Sequence, residues 1–304
     1  MIEAPSNLGL RPLYPGHVPG AWRAPEALRK AGLYSLLQPH GVHALPRPAY
    51  EEGAQPGTRV RNGHTIRRFS EDLAGVVAQV LAAGNVPVVI GGDCSVLLGC
   101  LFGARRSGRC GLLHVDGHSD FFHPGNYDSS TRLGSAAGMD LALATGRGEP
   151  LLTRWDGVPG PLVEDGDVVQ IGERDELDPG YAYADIKATE IRRIPVRLVK
   201  QVGIARCCQE VRTHGEERGL TRVWLHVDVD VLDQNVMPAV DSPGSPGLTF
   251  AELEELMGDV CQTMPVVGVD VTIYDPERDP DGTYALQLAT CLASSLRKVV
   301  EEKL

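Results

Sequence analysis

The chain has no surplus of positive charge, no long apolar run and no paired-cysteine framework, and each absence removes a class of function. Lysine and arginine number 29 against 40 aspartate and glutamate, a formal net charge of −11 over 304 residues. An acidic chain has no general attraction for phosphate backbones or anionic lipid, so nucleic-acid and membrane-surface roles are not expected. No uninterrupted apolar stretch approaches the roughly 20 residues needed to span a bilayer. The opening MIEAPSNLGLRPLYPG lacks a basic segment followed by an apolar one, so no secretory leader is expected and the protein is read as cytoplasmic. The seven cysteines, Cys94, Cys100, Cys110, Cys207, Cys208, Cys261 and Cys291, are odd in number and form no Cys-x-x-Cys pair. A disulfide framework is therefore not expected, and most of these thiols read as small buried hydrophobes.

What is present is an ordinary globular composition, 42% hydrophobic and 23% charged, which excludes wholesale disorder. The length allows one large α/β domain or two small ones. The first 60 or so residues are proline-rich and irregular, with a short helix expected over Ala24–Leu33. From Phe69 onward the pattern becomes regular. Helices are predicted over Asp72–Ala83, Ser95–Arg106, Ser135–Thr145, Gln201–Arg218, Phe250–Gln262 and Tyr284–Glu302. Between them lie short apolar segments that read as strands: Val86–Ile90, Gly111–Val115, Val168–Gly172, Val196–Val199, Arg222–Val227 and Val266–Val271. This alternation predicts a parallel sheet with helices on both faces. In such sheets sites form outside the carboxyl ends of the strands, which directs attention to the residues just after Ile90, Val115, Ile171, Val227 and Val269.

Three segments at those ends carry chemistry. In His114-Val115-Asp116-Gly117-His118-Ser119-Asp120, Asp116, His118 and Asp120 are spaced i, i+2, i+4, which in extended chain puts them on one face. In His226-Val227-Asp228-Val229-Asp230-Val231-Leu232-Asp233, Asp228 and Asp230 share a face among apolar neighbours. Converging carboxylates repel and are costly to bury unless a cation compensates them. The plain alternatives are a polar loop and an acidic turn. Taken together, five mostly carboxylate ligands favour Mn²⁺ or a similar divalent ion. The third segment, Gly91-Gly92-Asp93-Cys94-Ser95, joins a strand to a helix. Its glycines permit a tight turn and close backbone approach, and Cys94 faces the crevice or is a buried thiol at a helix start. His114 and His226, each two residues before an aspartate ligand, read as histidines that support the ligands or pack in the core, rather than as ligands.

GGDCS at 91–95, DGHSD at 116–120 and HVDVDVLDQ at 226–234 together resemble the ureohydrolase family of arginases, agmatinases and formimidoylglutamases. That family's pattern is a Gly-Gly-Asp-His-Ser turn, an Asp-Ala-His-x-Asp segment and a Ser-x-Asp-x-Asp-x-x-Asp-Pro segment, in the same order. The resemblance runs from about Val86 to Pro276. It implies a single α/β domain over 1–304, a three-layer α/β/α sandwich around a mostly parallel sheet. It also implies a binuclear manganese cluster with a bridging hydroxide that attacks an sp² carbon bearing nitrogen. Asp116 and Asp228 would bridge the ions, Asp120 and the residue at 94 would complete one, and His118 and Asp230 the other. Asp120 would orient the nucleophile and shuttle its proton. A homo-oligomer, trimer or hexamer, acting on a small molecule is implied as well.

The chain departs from that pattern at three places. Cys94 stands where the family has a ligand histidine; a thiolate is softer than imidazole and must be deprotonated to bind. Ala137 in Gly134-Ser135-Ala136-Ala137-Gly138 stands where arginases carry a proton-handling histidine, and His123 is the candidate to replace it, against a loop histidine without function. Ile273 in Asp270-Val271-Thr272-Ile273-Tyr274-Asp275-Pro276 occupies the place of the guanidine-binding glutamate, and isoleucine cannot pair with a guanidinium. The acidic loop Gly172–Pro179, by contrast, resembles the arginase loop that gathers a substrate's α-amino group; Glu176 and Asp178 are its candidates, against an exposed acidic loop. The expectation is thus a manganese-dependent hydrolase of a linear amidine, guanidino or amide compound other than free arginine. The competing reading is a degenerate relative that binds metal or ligand without turnover, in a regulatory or biosynthetic partnership. A redox sensor built on Cys94 rests on one residue.

Overall fold

The apolar segments predicted as strands are buried on both faces, which is why they read as continuous Val, Ile and Leu runs rather than alternating ones. The computed structural model describes residues 1–177 and 184–301, with side chains for all but 184 and 298–301. Among the described residues eight strands form one sheet: β1 (Ile2–Ala4), β2 (His43–Ala44), β3 (Val88–Gly91), β4 (Gly111–Val115), β5 (Val168–Ile171), β6 (Arg192–Ile194), β7 (Val223–Asp228) and β8 (Val266–Thr272). Every pairing is parallel, in the order β2-β1-β3-β8-β7-β4-β5-β6. Leu113, Val115, Leu225, Val227, Val269 and Val271 point into one core layer, with the helices Phe250–Thr263 and Thr283–Glu301. Val89, Leu112 and Trp224 point into the other, with the helices Gly63–Ala82 and Val96–Arg105. The architecture is the expected three-layer α/β/α sandwich.

At two places in the sheet, between β3 and β8 and between β7 and β4, neighbouring strands send their helices to opposite faces. The chain leaves β3 for the Gly63–Ala82 side and leaves β8 for the Thr283–Glu301 side; β4 and β7 diverge in the same way. A crevice therefore opens over the carboxyl ends of β3, β8, β7 and β4. Residues 91–95, 116–120, 228–230 and 272–275 border it.

Several local expectations are corrected. Val196–Val199 is the start of a helix, Val196–Val202, and the strand lies just before it at Arg192–Ile194. Pro195, with φ −59° and no N–H to give the sheet, ends the strand and opens the helix. The helix expected over Gln201–Arg218 is broken at Gly203, whose φ of +81° is outside the helical range, and resumes as Ile204–Glu217. Ser135–Thr145 divides into a 3-10 turn, Ala136–Gly138, and a short helix, Asp140–Ala144. The helix expected from Asp72 begins at Gly63. The irregular N-terminus supplies two strands, too short to show alternation.

Candidate metal centre

The turn after β3 is built by close backbone approach. A Cβ at Gly92 would lie 1.6 Å from the Ser6 carbonyl oxygen, so only glycine fits there. Asp93, fully buried, accepts hydrogen bonds from Ser6 Oγ at 2.7 Å, from the Gly9 amide at 3.0 Å and from the Ser95 amide at 2.9 Å. This fixes Cys94, whose Sγ donates to Asp228 Oδ2 at 2.8 Å and lies 3.2 Å from Thr272 Oγ1.

The two aspartate segments converge by a different device from the extended chain expected. Both strands end near their first aspartate, and that aspartate caps the turn that follows. Asp116 Oδ1 accepts from the His118 amide at 2.6 Å, and Asp228 Oδ1 accepts from the Asp230 amide at 2.7 Å. Each turn folds residue i+2 back beside residue i. Asp120 then sits at φ +45° and Ile273, across the crevice, at φ +73°. A β-branched residue at positive φ is an outlier, and such strain gathers at functional sites.

The six expected ligands, Cys94, Asp116, His118, Asp120, Asp228 and Asp230, are all buried and are brought together. His118 Nδ1 lies 2.9 Å from Asp230 Oδ2 and 3.9 Å from Asp116 Oδ1. Cys94 and Asp120 present donor atoms to one shared volume, and Asp116, His118 and Asp230 to another. Asp116 Oδ2 has no hydrogen-bond partner among the described residues. Burial, reinforced by the other carboxylates, pushes Asp116, Asp120 and Asp228 well above the usual carboxylate range. Burial would raise Asp230 too, but His118, Arg174 and the Gly117 amide outweigh it and hold Asp230 below its ordinary value. Burial and the charge of Asp228 push the Cys94 thiol up. This is the electrostatic signature of a cluster that wants cations.

The other expected site residues are not brought to this cluster. His123 Nε2 is paired with Asp185, and its Nδ1 accepts from the Gly125 amide at 3.1 Å. Glu176 is exposed and paired with Lys187 at 3.3 Å. Asp178 lies outside the described residues. Ala137 and Ile273 line the crevice together with His118, Asp120, Asp228 and Asp230, while Arg11 and Arg132 line its exposed rim.

Sequence reasoning missed Asp140. It is fully buried, with its carboxylate near His114, His226, Cys94 and Asp120. The signal was available: a single aspartate opens the otherwise apolar run Leu141–Ala144. Asp270 was also unassigned; it accepts from Trp224 Nε1 and pairs with His226 Nδ1, each at 2.6 Å.

Comparison with known proteins agrees with this geometry. The sequence model of the Arginase family matches residues 16–297. Mouse Arginase-1 is 31% identical over 270 residues, covering 84% of this chain and 80% of that protein. The arginase of Bacillus caldovelox is 30% identical over 279 residues, covering 88% and 91%. A crystal structure of arginase from Bacillus caldovelox superposes with a TM-score of 0.82 at 28% identity, over 97% of this chain and 96% of the other. The proclavaminate amidino hydrolase of Streptomyces clavuligerus shares the fold with a TM-score of 0.67 at 20% identity, over 98% and 90%. The chain belongs to the arginase family, whose members are metal-dependent hydrolases of non-peptide C–N bonds.

Proposed function

We propose that the protein is a manganese-dependent hydrolase that cleaves a C–N bond of a small linear amidine, guanidino or amide compound other than free arginine. One observation carries this reading. Four carboxylates, an imidazole and a thiol converge in a buried volume where, among the described residues, the nearest guanidinium, Arg174, stays 3.8 Å from Asp230 Oδ1. Uncompensated carboxylates at this depth cost several kcal/mol each, roughly, and two divalent cations would offset that cost.

The donor set fits manganese in its oxygens and less well in its thiol. Asp116 and Asp228 would lie between two ions, Asp120 and Cys94 would complete one, and His118 and Asp230 the other. Burial beside Asp228 opposes deprotonation of Cys94, so the Cys94 side is the weaker. Such ions, when bound, lower the pKa of a shared water and supply hydroxide near neutral pH. Asp120, at the base of the crevice, orients the nucleophile and carries its proton toward the departing amine. His123 takes no part, because Asp185 and the Gly125 amide engage its ring.

Ile273 presents an apolar wall where a guanidinium would need a carboxylate, and Ala137 brings no imidazole. Arg11 and Arg132 at the rim suit an anionic group on the substrate. The protein would work in the cytoplasm as a homo-oligomer, trimer or hexamer; among the described residues no helix is long and apolar enough to cross a membrane. The test is a screen of manganese-loaded protein against guanidino, formimino, ureido and amide compounds, read by release of ammonia, urea or amine. Turnover of a non-arginine compound that is lost on chelation is expected. Efficient urea release from arginine, or absence of bound metal after reconstitution, would sink the proposal.

A further inference from the structure

Beneath the carboxylate cluster, on the Gly63–Ala82 side of the sheet, four buried polar residues stand in one cross-strand row. Gln170 pairs in register with His114, His114 with His226 and His226 with Asp270. The imidazoles of His114 and His226 stack at 4.8 Å between centroids, and both are fully buried. Asp140, also fully buried, reaches over them: its Oδ1 is 3.4 Å from His114 Nε2 and its Oδ2 is 3.6 Å from His226 Nε2. Asp116 Oδ2 is 3.7 Å from His114 Nε2 on the crevice side.

We propose that His114, His226 and Asp140, closed on the crevice side by Asp116, form a distinct buried cation site one layer deeper than the carboxylate cluster, with the ligand chemistry of zinc.

Three observations support it. First, His226 Nε2, Asp140 Oδ2 and Asp116 Oδ2 each lack a hydrogen-bond partner among the described residues, although all three residues are buried. Buried polar atoms are nearly always satisfied, and the carboxylate cluster accounts for the Asp116 atom, so the two remaining orphans, on His226 and Asp140, point to a missing ligand. Second, Asp270 already holds His226 Nδ1, leaving Nε2 as the donor aimed at Asp140. A carboxylate behind the far nitrogen is how a ligand histidine is held in one tautomer and orientation. Third, the spacings are near those of a coordinated ion: bonds of about 2.0–2.2 Å place ligand atoms roughly 3.3–3.6 Å apart, Asp140 Oδ1 and Asp116 Oδ2 lie 3.4 and 3.7 Å from His114 Nε2, and one donor atom each from His114, Asp140 and His226 lie within 4.8 Å of one another. Two imidazoles with carboxylates form a harder set than thiolate but a richer nitrogen set than manganese needs, and such a site holds zinc more tightly than manganese.

This inference goes beyond the hydrolase reading: His114, His226 and Asp140 are donors that reading does not use, and Asp116 alone is shared with the carboxylate cluster. Full-length protein, stripped with a chelator, is first loaded with manganese so that the carboxylate cluster is filled and is then given one equivalent of zinc, which is measured by X-ray absorption at the zinc edge and by elemental analysis. The expected spectrum shows nitrogen and oxygen neighbours with outer-shell scattering from two imidazoles. His226→Asn and Asp140→Asn should each lose one equivalent of zinc, or bind it at least tenfold more weakly, while His118→Asn keeps it. A spectrum with a sulfur neighbour or with fewer than two imidazoles would overturn the proposal, and so would full zinc retention by His226→Asn. The absorption experiment uses the unaltered protein, so a variant that fails to fold does not decide the matter. Neither readout depends on turnover, so this site and the hydrolase reading stand or fall separately.

Discussion

Replacing Ile273 by glutamate would convert the apolar wall of the crevice into a guanidinium receptor, at a cost in stability that the structure allows to be sized. Ile273 is 2% exposed, lines the crevice and donates its amide to the Gly92 carbonyl at 2.6 Å. Losing its burial costs about 1.5–3 kcal/mol. Seating a carboxylate near Asp228 and Asp230 adds to that unless cations fill the cluster. Removing the β-branch at φ +73° returns some tenths of a kcal/mol, since a straight side chain crowds that conformation less. The metal-loaded variant should therefore be about 1–3 kcal/mol less stable, a fall in Tm of roughly 2–5 °C for a chain of this size. Against this, a charge-assisted pair between the new carboxylate and a guanidinium contributes about 1.5–3 kcal/mol, which is roughly 10- to 150-fold in affinity. Calorimetric titration of arginine and agmatine into wild type and Ile273→Glu reads the affinity, with lysine as the guanidine-free control, and thermal unfolding of the two proteins reads the stability. Tighter binding of the two guanidino compounds alone is expected. A folded variant that binds arginine no better than wild type, or wild type that already hydrolyses arginine at ordinary rates, would refute the role assigned to Ile273.

Gly92→Ala should destabilise the protein by more than about 3 kcal/mol or prevent its folding, because the added Cβ would meet the Ser6 carbonyl at 1.6 Å; a denaturant midpoint within error of wild type would contradict this. Cys94→His should raise affinity at one of two metal positions, since the new donor need not lose a proton above neutral pH; unchanged affinity and stoichiometry in a metal titration would show that Cys94 is no ligand. Asp167 is held below its ordinary value because Arg109 and Arg218 outweigh its burial. Its contribution is therefore present above the unfolded pKa near 4 and lost as pH falls through the lower folded one, and Asp167→Asn should cost about 1–3 kcal/mol at pH 7 and flatten the acid limb of the stability curve. Asp116, Asp120 and Asp228 shift the opposite way, so metal-free protein loses stability as pH rises from about 4 toward their raised values. The gain in Tm on adding manganese should then be larger at pH 8 than at pH 6, and an equal gain at both would count against the cluster as the binding site.

The parts of this molecule that were legible in the sequence are those set by strong local rules. Buried parallel strands announce themselves as apolar runs, and β3, β4, β5, β7 and β8 were found within a few residues. The aspartates at 116, 120, 228 and 230 were visible because paired carboxylates after an apolar strand have few structural uses. What was not legible depends on contacts between distant segments. β1 and β2 are three and two residues long and exist because β3 offers a parallel edge to β1, and β1 in turn offers one to β2. The strand at Arg192–Ile194 was displaced onto the following helix because Val196 and Val199 are apolar in either state, and only Pro195 separates them from the sheet. His123 is three residues from Asp120 in sequence, yet the positive φ at Asp120 turns the chain, and Asp185 takes the ring. Asp140 was passed over because its partners, His114 and His226, lie on two strands that sequence reading could place but not align.

The row of His114, His226 and Asp270 under Asp140 also poses a question of charge that can be reasoned through. Asp270 and Asp140 both approach His226 from opposite ends of its ring, and both are fully buried. An imidazolium at His226 would balance one negative charge and leave one over. Trp224 Nε1 gives Asp270 a hydrogen bond but no charge, and neither lysine nor arginine comes within 4 Å of Asp140 or Asp270 among the described residues. A single uncompensated carboxylate at full burial costs several kcal/mol, roughly, and is seldom kept without a use. A divalent cation between neutral His114, neutral His226 and Asp140 balances both carboxylates and gives the orphaned Asp140 and His226 atoms their partners. In the same chain, the imidazole that the family places after Gly-Gly-Asp has become Cys94, whose Sγ recedes against Asp228 and Thr272. The proposed deep site would thus place two imidazoles on the sheet side in a chain whose crevice side lacks that imidazole, with Asp116 between the two sites.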